Sequence, residues 1–354
     1  MTRILIVRLG ALGDVVHAIP VAAALRRAIP SARIDWLVSA KHREILDLVP
    51  VIDHRFAIND RGTAAEGMSF GRAIGELRRA RYDVVLDLQG LIKSALLARL
   101  SGAARVIGFS STYARESLAR LFYTESYDPG RGGLYDARET RHVVDVNLAL
   151  TRPLGIEQGL AEFPIAPVDT RVRQWAAEHA KDGYALINPG AAWPNKRWPA
   201  ARLAVVAIEL RARHGLTSVV LWGPGEEALA QAVAATSAGA ALVAPKTSIA
   251  DLVALARGAA IMISGDTGPM HVATAVGTPL VGIFGPTRPV RNGPLSPADV
   301  TVSRDAVCQC HHLRHCKLER MCLLDIEITE VLDAVERRIA TASDGSGRGD
   351  RSRV

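Results

Sequence analysis

Strand-like and helix-like runs alternate along most of this chain, and two of the turns joining them are rich in glycine. The first, Arg8-Leu-Gly-Ala-Leu-Gly-Asp14, follows the apolar run Ile4–Val7; the second, Gly265-Asp-Thr-Gly-Pro-Met-His271, follows Ala260–Ile263. Helix-like runs come next, Val15–Ala28 and Val272–Val276. In an open parallel sheet such turns lie at the carboxyl ends of strands, where ligands bind. A helix start adds free N–H groups and a positive dipole end, which suit phosphate. Two such units more than 250 positions apart predict two halves facing one another across a cleft.

The remaining pattern agrees. Strands are expected over Arg3–Leu9, Arg33–Val38, Val84–Leu88 and Arg105–Phe109, with helices over Lys41–Leu48, Phe70–Ala80 and Leu91–Leu100. Ser69 fits an N-cap. Leu154–Val168 loses its periodicity, carries Pro164 and Pro167, and reads as a linker. The alternation then restarts with strands Tyr184–Asn188, Ser218–Trp222 and Leu280–Phe284, and helices Ala200–His214, Glu226–Thr236 and Ile249–Arg257. Val331, Leu332, Val335 and Ile339 share one face of a final helix. The polar, glycine-rich end reads as a disordered tail. The pattern predicts an α/β fold with helices on both faces of parallel sheets. Its expected boundaries are 1–160, 168–325, a last helix over 326–341 and a tail over 342–354.

At 354 residues, 49% apolar and 22% charged, the chain suits two ordinary globular domains. No apolar run approaches the ~20 residues that span a bilayer. The first apolar run is too short for a signal-peptide core and continues as a strand, so a cytoplasmic location is expected. The net charge of +7 is uneven: residues 1–150 hold 21 Lys/Arg against 16 Asp/Glu, and the remainder 22 against 20. Arg78, Arg79, Arg81, Lys93, Arg99, Arg105, Arg115 and Arg120 crowd the first half. They read as a solvated basic face or as an attraction for an anionic substrate or membrane surface. Nucleic acid is not expected as a partner, since no recognition helix, RNA-binding signature or interleaved aromatic pattern is present.

Four segments carry candidate chemistry. Asp14 closes the first turn at a helix start and fits two readings, a dipole-complementing carboxylate or a general base. In the second turn, Gly265 and Gly268 admit close backbone approach, Thr267 and the following N–H groups suit a diphosphate, and Asp266 suits a sugar hydroxyl. Its bland alternative is a tight turn with a capping Asp. Asn188-Pro-Gly-Ala-Ala-Trp-Pro-Asn-Lys-Arg-Trp-Pro199 joins a strand to a helix. There Lys196 is either an exposed lysine or a point charge beside a leaving diphosphate. All four cysteines, Cys308, Cys310, Cys316 and Cys322, fall within 15 residues, with His311, His312 and His315 among them. Their spacing is not that of a standard zinc knuckle, and they read as reduced thiols or a structural zinc site.

Taken together, Arg8–Asp14, the segment Tyr82–Ser94, Lys196-Arg-Trp-Pro199 and Gly265–His271 with Gly285-Pro-Thr287 resemble the ADP-heptose:lipopolysaccharide heptosyltransferases, glycosyltransferase family nine. Within that family, Ile34–Val38, Gln89–Ser94 and Ala114–Tyr123 are most similar to the first-heptose branch, heptosyltransferase I. The resemblance implies a GT-B architecture of two facing Rossmann-like domains, with the C-terminal helix packing back on the first. It implies an acceptor-binding first half and an ADP-sugar-binding second half. The implied reaction is inverting and metal-independent, needs no cofactor, and moves heptose from ADP-heptose to the Kdo of Kdo-lipid A at the cytoplasmic face of the inner membrane.

By position, the resemblance makes Asp14 the base and Lys196 the diphosphate lysine. Gly13, Asn195, Asp266, Thr267, Gly268 and His271 become donor contacts. A ribose-binding glutamate falls at Glu226 or Glu227. Lys93 and Arg115 become acceptor contacts. Rival readings are heptosyltransferase II or another donor and acceptor pair, a nucleotide-sugar epimerase of similar architecture, and a non-catalytic nucleotide-sugar binder.

Overall fold

The structure is a computed structural model that describes residues 1–59, 67–130, 132–136, 138–157, 159–311, 313–316 and 320–346, without the side chains of 342–346. His312 and most of the expected tail, 347–354, lie outside the described residues. The chain divides into two units, Met1–Ala166 and Pro167–Val354.

In the first unit six strands form one parallel sheet: β1 (Arg3–Val7), β2 (Arg33–Ser39), β3 (His54–Ile58), β4 (Val84–Asp87), β5 (Arg105–Phe109) and β6 (Glu125–Tyr127). Their order is β3-β2-β1-β4-β5-β6. The second unit repeats the winding with β7 (Tyr184–Asn188), β8 (Thr217–Val220), β9 (Ala241–Val243), β10 (Ile261–Gly265), β11 (Leu280–Phe284) and β12 (Val300–Ser303), in the order β12-β11-β10-β7-β8-β9. Both sheets are thus doubly wound in the 3-2-1-4-5-6 sense. Each reverses direction once, between β1 and β4 or between β7 and β10, and that point opens a crevice at the strands' carboxyl ends.

Central strands are buried on both faces and read as unbroken apolar runs. Ile4–Val7 and Tyr184–Asn188 have no exposed position. One core joins Leu5, Val7, Leu37, Val85 and Val106 to Leu77 and Leu97 from the flanking helices. Another joins Ile187, Val220, Ile263 and Ile283 to Leu203, Val206 and Leu210. Ser69 does cap the helix Phe70–Ala80, its hydroxyl accepting from Arg72 N at 3.4 Å. Gly215, with φ of 71°, ends the helix Ala200–His214, and a left-handed residue there favours glycine.

Two expectations change, and the last helix takes its place. The helix expected over Val15–Ala28 is broken into Leu12–Val16 and Ile19–Ala28, because Pro20 has no N–H and belongs in a first turn. Lys41–Leu48 resolves into a 3-10 turn, Ala40–His42, and a short helix, Glu44–Asp47. The final helix, Ile328–Ser346, packs against β11, β12 and Ala200–His214 of its own unit. Its apolar face explains that packing: Val331, Ala334 and Val335 complete the second core.

Candidate active site

The first crevice is built around Asp14. Register between β1 and β4 sets Val7 beside Asp87, so the turns leaving both strands start side by side. Gln89, from the second turn, accepts hydrogen bonds through its Oε1 from Leu9 N at 2.9 Å and Gly10 N at 3.3 Å. This fixes the loop that ends in buried Gly13 and Asp14. Below it, Asp87 accepts from Ser94 Oγ and Tyr123 Oη at 2.8 Å each and from Gln89 N at 2.9 Å. Burial nevertheless pushes the Asp87 carboxyl up.

Two guanidinium groups hold Asp14. Arg8 Nη2 lies 2.9 Å from Oδ1, and Arg115 Nη2 donates to Oδ2 at 2.7 Å, joined there by Ala11 N at 3.0 Å. Arg8 is itself buried, donates to Leu88 O, and is lowered to about 10 by that burial. Burial alone would raise the Asp14 carboxyl, but Arg8 and Arg115 overrule it and hold it well below the usual carboxylate range. Asp14 is therefore ionised, and with its side chain 22% exposed it can be reached. While both guanidiniums grip it, it is a weak base. Lys93 lies half-buried in the first turn of the helix Ile92–Leu100, which follows the same β4 turn.

The second crevice gathers Lys196, Asp266 and His271. Ser264 of β10 is in register with Asn188 of β7. Asn188 Nδ2 donates to Ser264 Oγ at 3.2 Å and to Thr267 Oγ1 at 3.0 Å, shaping the turn that carries Asp266. A Cβ on Gly265 would fall 2.9 Å from Lys196 O, so glycine is what lets the lysine loop close over the strand end. Lys196 Nζ donates to Asp266 Oδ2 at 2.6 Å and sits 4.6 Å from the centroid of the Trp193 ring. His271 Nε2 lies 3.0 Å from Asp266 Oδ1. Burial would raise the Asp266 carboxyl, but His271 and Lys196 hold it far below its ordinary value. The helix Gly268–Ala275 begins directly after Thr267, with its free N–H groups at the crevice.

The two candidate glutamates part ways. Glu226 accepts from Gly223 N at 3.2 Å, and a Cβ on Gly190 would fall 2.1 Å from its Oε2, so its carboxylate sits over the ends of β7 and β8. Glu227 is exposed and accepts from Gln231 Nε2, four residues along the helix. Asn195 is buried and donates to Leu313 O at 2.9 Å, tying the lysine loop to the cysteine-rich segment. In that segment Cys310 and Cys316 bring their Sγ atoms within 2.9 Å, and burial with Cys308 beside it pushes the Cys322 thiol up to about 12. Among the described residues no three or more His, Cys, Asp or Glu are placed to hold a metal ion.

Sequence reasoning did not single out Arg8, Gln89 and Asp87 in the first crevice, or Asn188 and Asn292 in the second. The signal for Gln89 was its place directly after a strand and before Gly90. Asn292, whose Nδ2 is 3.5 Å from Asp266 Oδ2, gave no local signal.

A family model described as glycosyltransferase family 9 (heptosyltransferase) matches residues 70–322. The chain belongs to that family. This family 9 glycosyltransferase is 31% identical over 314 residues to lipopolysaccharide heptosyltransferase 1 of Pseudomonas aeruginosa, covering 86% of this chain and 85% of that protein. Its fold is shared with a family 9 glycosyl transferase from Veillonella parvula, at a TM-score of 0.79 and 24% identity over 96% of this chain and 98% of that one. E. coli heptosyltransferase WaaC, solved with ADP, gives a TM-score of 0.71 at 24% identity over 97% and 100% of the two chains. The fold class is GT-B.

Proposed function

We propose that this glycosyltransferase transfers L-glycero-D-manno-heptose from ADP-heptose to the Kdo of Kdo-lipid A, with inversion and without a metal ion or cofactor. The observation that carries the reading is a pair of crevices, one in each unit. One holds an ionised carboxylate among guanidiniums, and the other a lysine at a glycine-opened helix start. Likeness to lipopolysaccharide heptosyltransferase 1 relatives supports the donor and acceptor named.

The acceptor hydroxyl oxygen bonds to the anomeric carbon on the face opposite ADP. Its proton passes to Asp14 Oδ2. The bond from the anomeric carbon to the phosphate oxygen breaks, and its electron pair leaves with ADP. Lys196 and the N–H groups of Gly268–Ala275 meet the charge growing on that diphosphate; donors of this kind contribute about 10²–10³ in rate. Only the part of their interaction that strengthens as the bond breaks accelerates the reaction. Asp266, Thr267 and His271 shape the donor side with Gly13 and Asn195, and Glu226, rather than Glu227, is assigned to the ribose. Arg115 and Lys93 serve the acidic acceptor. Work on a lipid-linked acceptor places the enzyme at the cytoplasmic face of the inner membrane; among the described residues no helix is long and apolar enough to cross it.

The test is turnover of ADP-heptose with and without Kdo-lipid A, in excess EDTA, following both ADP and glycolipid. Acceptor-dependent ADP release with a one-heptose product is expected. Tight ADP-heptose binding without transfer would refute the acceptor, and activity lost to EDTA would refute the metal-free course.

A further inference from the structure

The first unit exposes large apolar side chains on one short element. Ser117–Phe122 forms a 3-10 helix with Ala119 buried beneath it. Residues three apart eclipse in such a helix. Leu118 and Leu121, 59% and 71% exposed, therefore stand side by side on its outer face. The element packs against the helix Ile92–Leu100, whose first residue, Ile92, is also exposed. It is held rigidly: Glu116 Oε2 accepts from Ile92 N at 2.6 Å, and Glu116 N donates to Gly90 O at 2.9 Å. Exposed Arg120 lies between the leucines, and Arg115, three residues before Leu118, reaches Asp14 at 2.7 Å. Single exposed apolar residues need no explanation, but an adjacent leucine pair with an exposed arginine between its members does.

We infer that Leu118 and Leu121 form a docking surface for an anionic lipid bilayer, inserting among headgroups and acyl chains while Arg120 meets the lipid phosphates. Cations near such a surface and leucines entering its boundary act together. Docking there sets the Arg115–Asp14 crevice at the headgroup layer, where a lipid-borne sugar is presented. The inference rests on the lipid-linked acceptor proposed above, and its test needs no transfer.

The full chain would be floated with vesicles of phosphatidylethanolamine and phosphatidylglycerol, and with phosphatidylcholine alone, without nucleotide sugar. Binding to the anionic vesicles is expected. It should fall roughly tenfold or more in Leu118→Ser/Leu121→Ser. Leu160→Ser, which alters a leucine 87% exposed elsewhere in the same unit, should leave it unchanged. Leu121→Trp should shift its added indole emission to the blue on anionic vesicles only. Undiminished binding of the double variant, an equal loss in Leu160→Ser, or an unshifted indole emission from Leu121→Trp would overturn the assignment. A chain that ignores both vesicle types would overturn it too and leave the leucine pair to a protein partner. None of these results bears on whether heptose is transferred.

Discussion

Replacing Lys196 by alanine strands a buried carboxylate, and the cost can be worked from the contacts. Lys196 and Asp266 meet at 2.6 Å with side chains 14% and 4% exposed. Leaving a buried charged acceptor without its partner costs about 1.5–3 kcal/mol. His271 at 3.0 Å and Asn292 at 3.5 Å stay in place, which sets the expectation near the lower end, about 2 kcal/mol. In a unit of this size that lowers Tm by about 4–8 °C.

The pH dependence has a definite sign. Asp266 is held below its unfolded value of ~3.9, so its contribution is present above that value and is lost as pH falls through the folded one. The gap between wild type and variant should be complete at neutral pH. It should narrow in acid below about 4, where protonation relieves the stranded group. Lys196→Ala/Asp266→Asn should recover more than half of the loss. Calorimetry of the three proteins across that range is the assay. A single variant that melts like wild type, or a double variant less stable than the single, would refute the pairing argument.

Asp14→Asn removes the proton acceptor and should lower kcat by about 10²–10⁴ while ADP binding, measured by calorimetry, is unchanged; near-normal turnover would remove Asp14 as base. Gly190→Ala places a methyl 2.1 Å from Glu226 Oε2, so that carboxylate must swing away. The loss of about one charge-assisted hydrogen bond should raise the donor KM about tenfold with little change in Tm, and an unchanged KM would separate Glu226 from the donor.

What the sequence disclosed follows from where each strand lies. All eight interior strands were legible, because burial on two faces writes runs such as Val-Val-Leu-Asp of β4 and Leu-Val-Gly-Ile-Phe of β11. The four that went unread, β3, β6, β9 and β12, are the sheet edges. There one side needs no partner, and short or mixed segments such as Glu-Ser-Tyr and His-Arg-Phe-Ala-Ile suffice. The glycine turns were visible for the same local reason, since a strand end, a glycine and a helix start are neighbours in sequence. The partners of their carboxylates were not. Arg115 reaches Asp14 across 101 positions, and Gln89 reaches Leu9 across 80, so only the folded sheet brings them together.

The grip on Asp14 divides its two oxygens. Oδ1 belongs to Arg8, a buried residue anchored to Leu88 O and unable to leave. Oδ2 belongs to Arg115, which is more exposed and carried on a turn at the leucine pair. For the transfer proposed here, an anionic acceptor that draws Arg115 toward itself uncovers Oδ2 and strengthens the base at the same moment. Water brings no negative charge and leaves Arg115 where it is. On that proposal, Asp14 without an acceptor stays gripped at both oxygens and takes no proton from water, which would guard the activated sugar against idle hydrolysis.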